Sequence, residues 1–486
     1  MGKYPKKEAL AGVTEILATF RHAFPASESA LYLIALVTLR WLADSKRNAT
    51  QLPCSITLPD GLEYHIPLTL HDDQLGHWFR EMFKQIEVLN QHELAGVFSE
   101  LNFTSARFRP REDQPGMLSR AVEILWFKDR YQCSFALMEE ALAIARSCLV
   151  ASTAAPELNT PSALCELAAS LLEPLPEETV YDPACGTGKM LFHCASQATK
   201  EGHQKARLFG AERHRTAWTL AKINALFHGF SSEHIELCDA LEPANVPESA
   251  GCQLKFDVVL CHPPWGVKEW RGDHPAPERY DRFRRGMPPK NNADYAYLLH
   301  MVSSLKGDSG RMAAVVAGGV LSRGAQEGRI RQRLLRDNLV DSVIGLPDKM
   351  FQGTPVGGAI LIMRRDRTRR DILFIDARSL ASVTAGKNTF SGDALDRIRH
   401  AFSVRADEAG LSKVASWEDI VENAYSLSVS LYVRTEQENI DTDVSAIRGR
   451  REKLRAELDG VNKRIEGLLG AINAPEPAPA RKLERA

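Results

Sequence analysis

The segment 180–191, V-Y-D-P-A-C-G-T-G-K-M-L, is the first part of the chain that suggests a binding or catalytic site. An apolar run typical of a buried strand ends at Asp182, a glycine turn follows, and the pattern predicts a helix that begins near Lys189. Gly186 and Gly188 let the backbone approach a ligand closely at the carboxyl edge of a sheet, where such folds bind cofactors.

Two later strands also end in acidic residues. The run ARLFGAE ends in Glu212, and HIELCDA places Asp239 at the end of the third strand. Glu212 is placed to accept both ribose hydroxyls of an adenosine, and Asp239 to accept from an adenine amine. A lone acid at a strand end is often only a helix cap. Three acids at consecutive strand ends, without a G-x-G-x-x-G phosphate motif, instead indicate S-adenosylmethionine, which carries an amino acid, a ribose and an adenine but no phosphate.

The segment His262-Pro263-Pro264-Trp265 directly follows the fourth strand, FDVVLC. Two prolines after a buried strand force a rigid extended exit, so the carbonyl groups there serve neither sheet nor helix. Beside an aromatic ring they suit an exocyclic amine on a planar base, whose N–H groups bond to carbonyl oxygens and one side chain. Accepting these bonds makes the amine nitrogen a nucleophile toward a sulfonium methyl. A purely structural turn is the alternative, which the three preceding acids disfavour.

Helix and strand patterns predict how these residues are positioned. Residues 1–150 have helical spacing almost throughout and predict a helical docking domain. Residues 151–435 alternate strand and helix, which predicts an α/β fold with a seven-stranded Rossmann-like sheet. About a dozen residues join the last two strands, which favours an antiparallel edge pair. The seven strand segments are ETVYDP, ARLFGAE, HIELCDA, FDVVLC, RMAAVVAGG, LVDSVIGLP and GAILIMRR.

Residues 436–486 predict a separate C-terminal helix and a disordered tail. The helix has apolar residues in a 4-3 rhythm, which indicates a coiled-coil seam that needs a partner helix. The seam residues are Ile447, Leu454, Leu458, Val461, Ile465, Leu468 and Ile472. The tail from position 474 is rich in proline and charge, which is typical of disorder.

The composition excludes some classes of protein. The 486 residues include 61 Lys and Arg against 62 Asp and Glu, which excludes a uniformly basic binder but allows a local basic surface. Nine cysteines without a C-x-x-C pair indicate neither a zinc site nor a disulfide framework. The N-terminus lacks the apolar core of a signal peptide, and the apolar stretch 30–42 is too short to span a bilayer. We therefore expect a cytoplasmic protein with no membrane segment and no metal.

DPACGTG together with HPPW resembles the amino-methyltransferases that act on adenine N6. The wider pattern resembles the modification (methyltransferase) subunit of type I restriction-modification systems, in the N-6 adenine-specific DNA methylase family. Supporting strings cover most of the chain, from LYLIALVTLRWLAD and NTPSALCELAASLL to LVDSVIGLPDKMFQGTPVGGAILIMRR and ENAYSLSVSLYV. The resemblance implies methyl transfer from S-adenosylmethionine to an adenine flipped out of duplex DNA.

The resemblance also implies site residues and partners. The flipped adenine would lie against His262, Pro263, Pro264 and Trp265. The implied cofactor-binding residues are Asn159, Thr160, Pro161, Asp182, Ala184, Gly186, Thr187, Gly188, Lys189, Glu212 and Asp239. The implied partners are duplex DNA, a specificity subunit that chooses the target, a restriction subunit with motor and nuclease activity, and a second copy of the chain. The location implied is the bacterial cytoplasm, at the nucleoid when on DNA.

The chain departs from the family pattern at three places. His262 stands where the family has Asn or Asp, Lys189 replaces the second glycine of a Gly-Gly pair, and residues 157–159 replace an aromatic-rich segment. A neutral imidazole can accept one hydrogen bond, but its reach and angle differ from those of an amide oxygen. Two alternatives therefore stay open: a catalytically weak or silent scaffold subunit, and a methyltransferase for RNA or a protein amide.

A loop rich in Gly and Pro, residues 267–290, follows the catalytic segment, residues 262–265. The loop contains seven Lys or Arg residues and four Asp or Glu residues. It is either a solvated loop or a loop that contacts phosphates and orders on DNA. The second interpretation predicts that neutralising Arg282, Arg284 and Arg285 flattens the salt dependence of DNA binding.

Overall fold

The computed structural model describes residues 6–48, 52–108 except 54, 116–126, 135–153, 160–198, 206–271 except 250, 278–351 except 279, 356–433 except 385, and scattered positions between 449 and 465. Residues Met1–Arg434 form one compact unit, and Thr435–Ala486 form a second. The N-terminal helices and the sheet both belong to the first unit.

The first part of the chain is helical, as its spacing predicts. Its helices are α1 (Lys6–Arg21), α2 (Ala26–Arg47), α3 (Asp72–Leu89), α4 (Gln91–Leu94), α5 (Met117–Trp126), α6 (Phe135–Thr153) and α7 (Ser162–Leu172). Helix α2 is long and apolar enough to cross a membrane by composition, but 83% of its apolar window is buried inside the protein. It packs against α6, and Trp41 contacts Phe227 edge-on with ring centroids 5.5 Å apart. Its apolar character is therefore that of a core helix.

Strands and helices alternate after α7. The strands are β1 (Thr179–Asp182), β2 (Arg207–Glu212), β3 (Ile235–Leu237), β4 (Glu248–Ser249), β5 (Cys252–Gln253), β6 (Val258–Cys261), β7 (Arg311–Ala317), β8 (Val340–Gly345), β9 (Gly358–Arg364), β10 (Ile372–Asp376), β11 (Ser382–Thr384), β12 (Lys387–Thr389) and β13 (Ser412–Ala415). The helices are α8 (Lys189–Ala198), α9 (Arg215–His228), α10 (Asp294–Ser303), α11 (Ala325–Arg336), α12 (Gly392–Val404) and α13 (Trp417–Glu422).

Nine strands of the described chain form one central sheet in the order β13-β10-β8-β9-β7-β6-β1-β2-β3. Strands β3, β2, β1, β6 and β7 run parallel, whereas β9 is antiparallel to both β7 and β8. Strand β10 is parallel to β8, and β13 is antiparallel to β10. Helices cover a mostly parallel sheet, so the predicted α/β fold is confirmed.

The predicted number of strands is wrong, because the sheet continues beyond the seven predicted strands into β10 and β13. All seven predicted strands are present, and the last two, β8 and β9, pair antiparallel as expected. They do not form the edge, since β9 lies between β7 and β8 and β10 pairs with the far side of β8. The apolar run of β9 is buried along its length except at Arg364, as an interior strand requires.

Some of the predicted C-terminal seam lies in the second unit. Its described members Leu454, Leu458, Val461 and Ile465 are helical, with 42–59% of each residue exposed. The other three seam positions and the tail lie outside the described residues.

Candidate active site

The strand order reverses between β1 and β6, because β2 and β3 extend one side of β1 and β6 pairs with the other. In open α/β sheets, ligands bind in the crevice at such a reversal, outside the carboxyl ends of the strands. A cleft at this edge is lined by Pro183, Ala184, Glu212, Arg213, His214, Cys238, Asp239, Ala240, Pro264 and Tyr297. The structure thus brings four predicted site residues, Ala184, Glu212, Asp239 and Pro264, to one cleft.

The acid that ends β2 shapes the glycine loop after β1. Glu212 accepts hydrogen bonds from the backbone N–H of Gly186 at 2.9 Å and of His214 at 2.6 Å. Gly186 and Gly188 have φ values of 57° and 78°, in the left-handed region that favours glycine. A Cβ on Gly188 would also lie 2.1 Å from the ring of Phe192. The loop therefore needs both glycines for its conformation.

Asp182 ends β1 and is only 2% exposed. Its Oδ1 accepts a hydrogen bond from the backbone N–H of Ala184 at 3.0 Å. Burial raises the pKa of Asp182 to about 7; the bond from Ala184 opposes this shift and the charge of Glu212 adds to it. This carboxyl therefore changes charge near neutral pH, and a cationic ligand beside it would favour the ionised form.

Thr187 carries a buried hydroxyl in the same loop. The residue is 2% exposed, and its Oγ1 has no hydrogen-bond partner among the described residues. Asn224 Nδ2 donates to the Thr187 carbonyl at 3.1 Å, which holds the backbone and leaves the hydroxyl to another partner. Buried polar groups are normally paired, so the Thr187 hydroxyl lacks the partner that such a group usually has among the described residues.

Asp239 also caps its own turn. Its Oδ1 accepts from the backbone N–H of Leu241 at 2.9 Å, and its carbonyl accepts from Asn245 Nδ2 at 3.0 Å. A carboxylate can accept about four hydrogen bonds, so this capping role is compatible with binding a ligand in the cleft that Asp239 lines.

His262 and Trp265 are fixed by contacts from distant parts of the chain. His262 is 5% exposed, and its Nδ1 lies 2.9 Å from Thr160 Oγ1. Burial lowers the pKa of His262 to about 3, so the imidazole is neutral at physiological pH. Trp265 Nε1 donates to the Val315 carbonyl at 3.2 Å, and the ring of Phe351 lies within 5.1 Å of both aromatic rings, centroid to centroid.

Thr160 contacts both His262, in the segment 262–265, and Lys189, at the end of the glycine loop. Thr160 is buried and directly precedes Pro161, the residue that caps α7. Lys189 Nζ donates to the Thr160 carbonyl at 2.8 Å, so this side chain does not extend into solvent. The predicted contact residue Asn159 lies outside the described residues.

Three residues in or beside this site have no distinctive sequence signal. Phe351 packs on His262 and Trp265, Tyr297 lines the cleft, and Asp294 Oδ1 accepts from the backbone N–H of Gly266 at 2.8 Å. Asp294 also pairs with Arg323. Each residue belongs to an ordinary helix or loop pattern, and only the three-dimensional fold brings it to the catalytic segment.

Arg282 and Arg285, two of the arginines in the loop 267–290, are structural. The side chain of Arg282 is fully buried and donates to the carbonyls of Ala240 and Leu241 at 3.0 and 2.9 Å, and to Glu278. It also lies 3.0 Å from His300 Nδ1.

Arg285 is 6% exposed and pairs with Asp337 at 2.6 Å. Arg284 is exposed. Arg282 and Arg285 therefore fit neither interpretation of the loop, solvated or phosphate-contacting, because each pairs with buried or acidic groups of the fold.

The family model described as N-6 DNA Methylase matches residues 147–441. This match spans more than half of the chain, which therefore belongs to the N-6 DNA Methylase family, and the family resemblance of the DPACGTG and HPPW motifs is confirmed. The type I restriction enzyme MjaVIII methylase subunit of Methanocaldococcus jannaschii is 31% identical over 333 residues, 65% of this chain and 56% of that protein.

The type I restriction enzyme HindI methylase subunit of Haemophilus influenzae is 29% identical over 297 residues, 58% of this chain and 64% of that protein. The chain thus spans between half and two thirds of the length of these relatives. A solved type I restriction-modification system methyltransferase subunit from Streptococcus thermophilus shares the fold, with a TM-score of 0.71, 23% identity, and coverage of 88% of this chain and 99% of that one.

Replacing Arg282 with Gln is expected to lower the free energy of unfolding by about 3 kcal/mol, because two buried carbonyls and Glu278 lose their cationic donor. Arg284→Gln is the matched control and should change stability by less than about 0.5 kcal/mol, as surface substitutions usually do. Urea unfolding of both variants measures the difference. Equal stability of the two proteins would contradict the structural role of Arg282.

Proposed function

We propose that this chain is the methyltransferase subunit of a type I restriction-modification complex, and that it transfers a methyl group from S-adenosylmethionine to adenine N6 in duplex DNA. The proposal rests on one observation: the acidic residues at the strand ends and the segment 262–265 lie at the same edge of the sheet, where the strand order reverses. Asp182 and Glu212 end β1 and β2, Asp239 lies two residues after β3, and the segment 262–265 directly follows β6.

The residues of the cleft fit S-adenosylmethionine. Asp182 offers an anionic partner for an ammonium group, and Glu212 and Asp239 line the space that suits a ribose and an adenine. The unpartnered hydroxyl of Thr187 offers a donor for a carboxylate in the loop beside Asp182. When bound, this cofactor supplies an electrophilic methyl group on a positively charged sulfur.

The catalytic segment fits the amine of a planar base. His262 is neutral, so one ring nitrogen carries a lone pair that accepts an N–H of the amine. Residues 262–264 lie outside β6 and α10, so their carbonyl oxygens serve neither element, and one of them would accept the second N–H. Hydrogen bonds of this kind make the amine nitrogen more nucleophilic without a strong base. Adenine N6 is engaged in base pairing inside a duplex, so the base must be flipped out to reach this segment.

The partners follow from the relatives. Both relatives described above are named as methylase subunits of type I restriction enzymes. We therefore propose that a separate specificity subunit chooses the DNA target, and that a restriction subunit and a second copy of this chain complete the assembly. The location we propose is the cytoplasm, at the nucleoid while the complex is on DNA.

The decisive experiment is single-molecule sequencing of host DNA for N6-methyladenine, with the gene present, deleted, or complemented by His262→Ala. A split recognition sequence should be methylated only when the wild-type gene is present. His262→Ala should lose about a hundredfold or more of the activity, because one catalytic hydrogen bond is removed. Absence of any gene-dependent mark would overturn the proposal and favour a silent scaffold or another substrate.

Cofactor affinity should depend on pH through Asp182. Its pKa of about 7 means that the carboxyl is mostly protonated at pH 6 and mostly ionised at pH 8. A cationic ammonium prefers the ionised form, so the dissociation constant should fall by about tenfold from pH 6 to pH 8. Calorimetric titration of wild-type protein and Asp182→Asn measures this effect. The variant should bind more weakly, with no such pH dependence, and an identical pH profile for both would contradict the assignment.

Arg284 is the exposed arginine that remains available for phosphate in residues 280–290. If it contacts DNA in the complex with the specificity subunit, Arg284→Gln should lower the slope of log K against log salt by about 0.9, the value for one phosphate. Arg271→Gln, in the same loop and partly buried, is the comparison variant. An unchanged slope for Arg284→Gln would indicate that Arg284 is solvated and does not contact a DNA phosphate.

A further inference from the structure

Two of the three departures from the family pattern, Lys189 and His262, meet at Thr160. Lys189 donates to the Thr160 carbonyl at 2.8 Å, and His262 Nδ1 lies 2.9 Å from the Thr160 hydroxyl. Thr160 and His262 are 102 positions apart in the chain, and Lys189 is 29 positions from Thr160. One residue thus receives a contact from both substituted positions.

A neutral imidazole has two tautomers, and they differ in what they offer to a base. With hydrogen on Nδ1, the ring donates to Thr160 Oγ1, and Nε2 keeps a lone pair that accepts an amine N–H. With hydrogen on Nε2, the ring accepts from the Thr160 hydroxyl, and Nε2 opposes the amine with another donor. Only the first tautomer of His262 can replace the amide oxygen of Asn.

The hydrogen-bond pattern favours the first tautomer. Among the described residues, Thr160 Oγ1 is the hydrogen-bond partner of the His262 ring, and it lies on the Nδ1 side. Hydrogen on Nδ1 pairs the single N–H of the ring with this oxygen, whereas hydrogen on Nε2 leaves an N–H without a protein acceptor. In buried sites, an N–H group without an acceptor is rarer than an acceptor without a donor. The ring is also packed against Trp265 and Phe351, where the base is expected.

We infer that Thr160 is a positioning residue that holds His262 in the Nδ1–H tautomer, and that Lys189 fixes Thr160 through its carbonyl. This inference rests on the proposed function, because the tautomer matters only if His262 accepts a hydrogen bond from the amine of the base. The inference also relates the departures at positions 189 and 262 to each other. Lys189 holds the backbone of Thr160, and Thr160 sets the tautomer that lets His262 accept a hydrogen bond.

The first test replaces Thr160 with Val, which keeps the shape and the backbone carbonyl but removes the hydroxyl. The measurement is steady-state methylation by the full chain with its specificity subunit. The turnover number should fall by about tenfold or more, in line with loss of a well-placed catalytic hydrogen bond. The dissociation constant for S-adenosylmethionine should stay within about twofold, because Thr160→Val keeps the backbone and the shape through which Thr160 would contact the cofactor and removes only the hydroxyl that faces His262. Thr160→Ser should regain most of the loss, and Lys189→Met should lose less than Thr160→Val.

Two controls separate this role from a general loss of packing. Thr219 is also a buried threonine, on α9 outside the site, and Thr219→Val should leave turnover unchanged. In a His262→Asn background the acceptor is an amide oxygen, so adding Thr160→Val should cost little more. An equal loss in both backgrounds, no loss at all, or a loss explained by weaker cofactor binding would overturn the inference.

The tautomer itself can be measured without catalysis. In full-length protein labelled with ¹⁵N at histidine, the ring signals of His262 are those absent from the His262→Asn spectrum. Nδ1 should be protonated and Nε2 unprotonated, and Thr160→Val should abolish this preference. A protonated Nε2 in the wild-type protein would overturn the inference even if methylation is observed. If no DNA methylation is found, the proposed function fails, and these spectra still decide the tautomer.

Discussion

The site depends on one constraint of parallel sheets, namely that strands running in the same direction end at the same edge. Because β1, β2, β3 and β6 are parallel neighbours, residues as far apart as Asp182 and Trp265 come together without any direct attraction between them. The reversal of strand order between β1 and β6 then opens the crevice. The acids that meet there lie close to like charges and are buried or partly buried, and burial together with the charge of Glu212 raises the pKa of Asp182.

Two buried histidines that carry no charge show a second constraint of the fold. His262 and His300 are both buried, and burial lowers the pKa of each to about 3. A neutral histidine acts through the position of a single hydrogen, so its partner decides whether it donates or accepts. Arg282 donates to Nδ1 of His300, which leaves Nε2–H to face the Tyr181 hydroxyl at 2.9 Å. The fold thus sets histidine tautomers at two places, one in the core and one at the catalytic segment.

Local sequence patterns were sufficient for the strands that carry the site and for the acids at their ends, because both signals lie within a few residues. They were insufficient where the outcome depends on tertiary contacts. Strand β13 has the sequence S-K-V-A, and only its pairing with β10 identifies it as a strand. Strand β10 is buried along its length and is missing from the predicted sheet although its apolar residues are a local signal. The burial of Arg282 depends on the carbonyls of Ala240 and Leu241, some 40 positions away. The contact of Thr160 with His262 likewise has no local signal.

The apolar character of α2 has a consequence for synthesis of the chain. Its 22 residues include 16 that are buried in the finished protein, some of them against α6 and α9, which follow much later in the sequence. At a synthesis rate of about 5–20 residues per second, α2 leaves the ribosome several seconds before α6 and longer still before Phe227 can cover Trp41. For that interval the nascent chain presents an apolar surface that can aggregate or recruit chaperones, and this exposure ends only when residues up to 228 have left the ribosome.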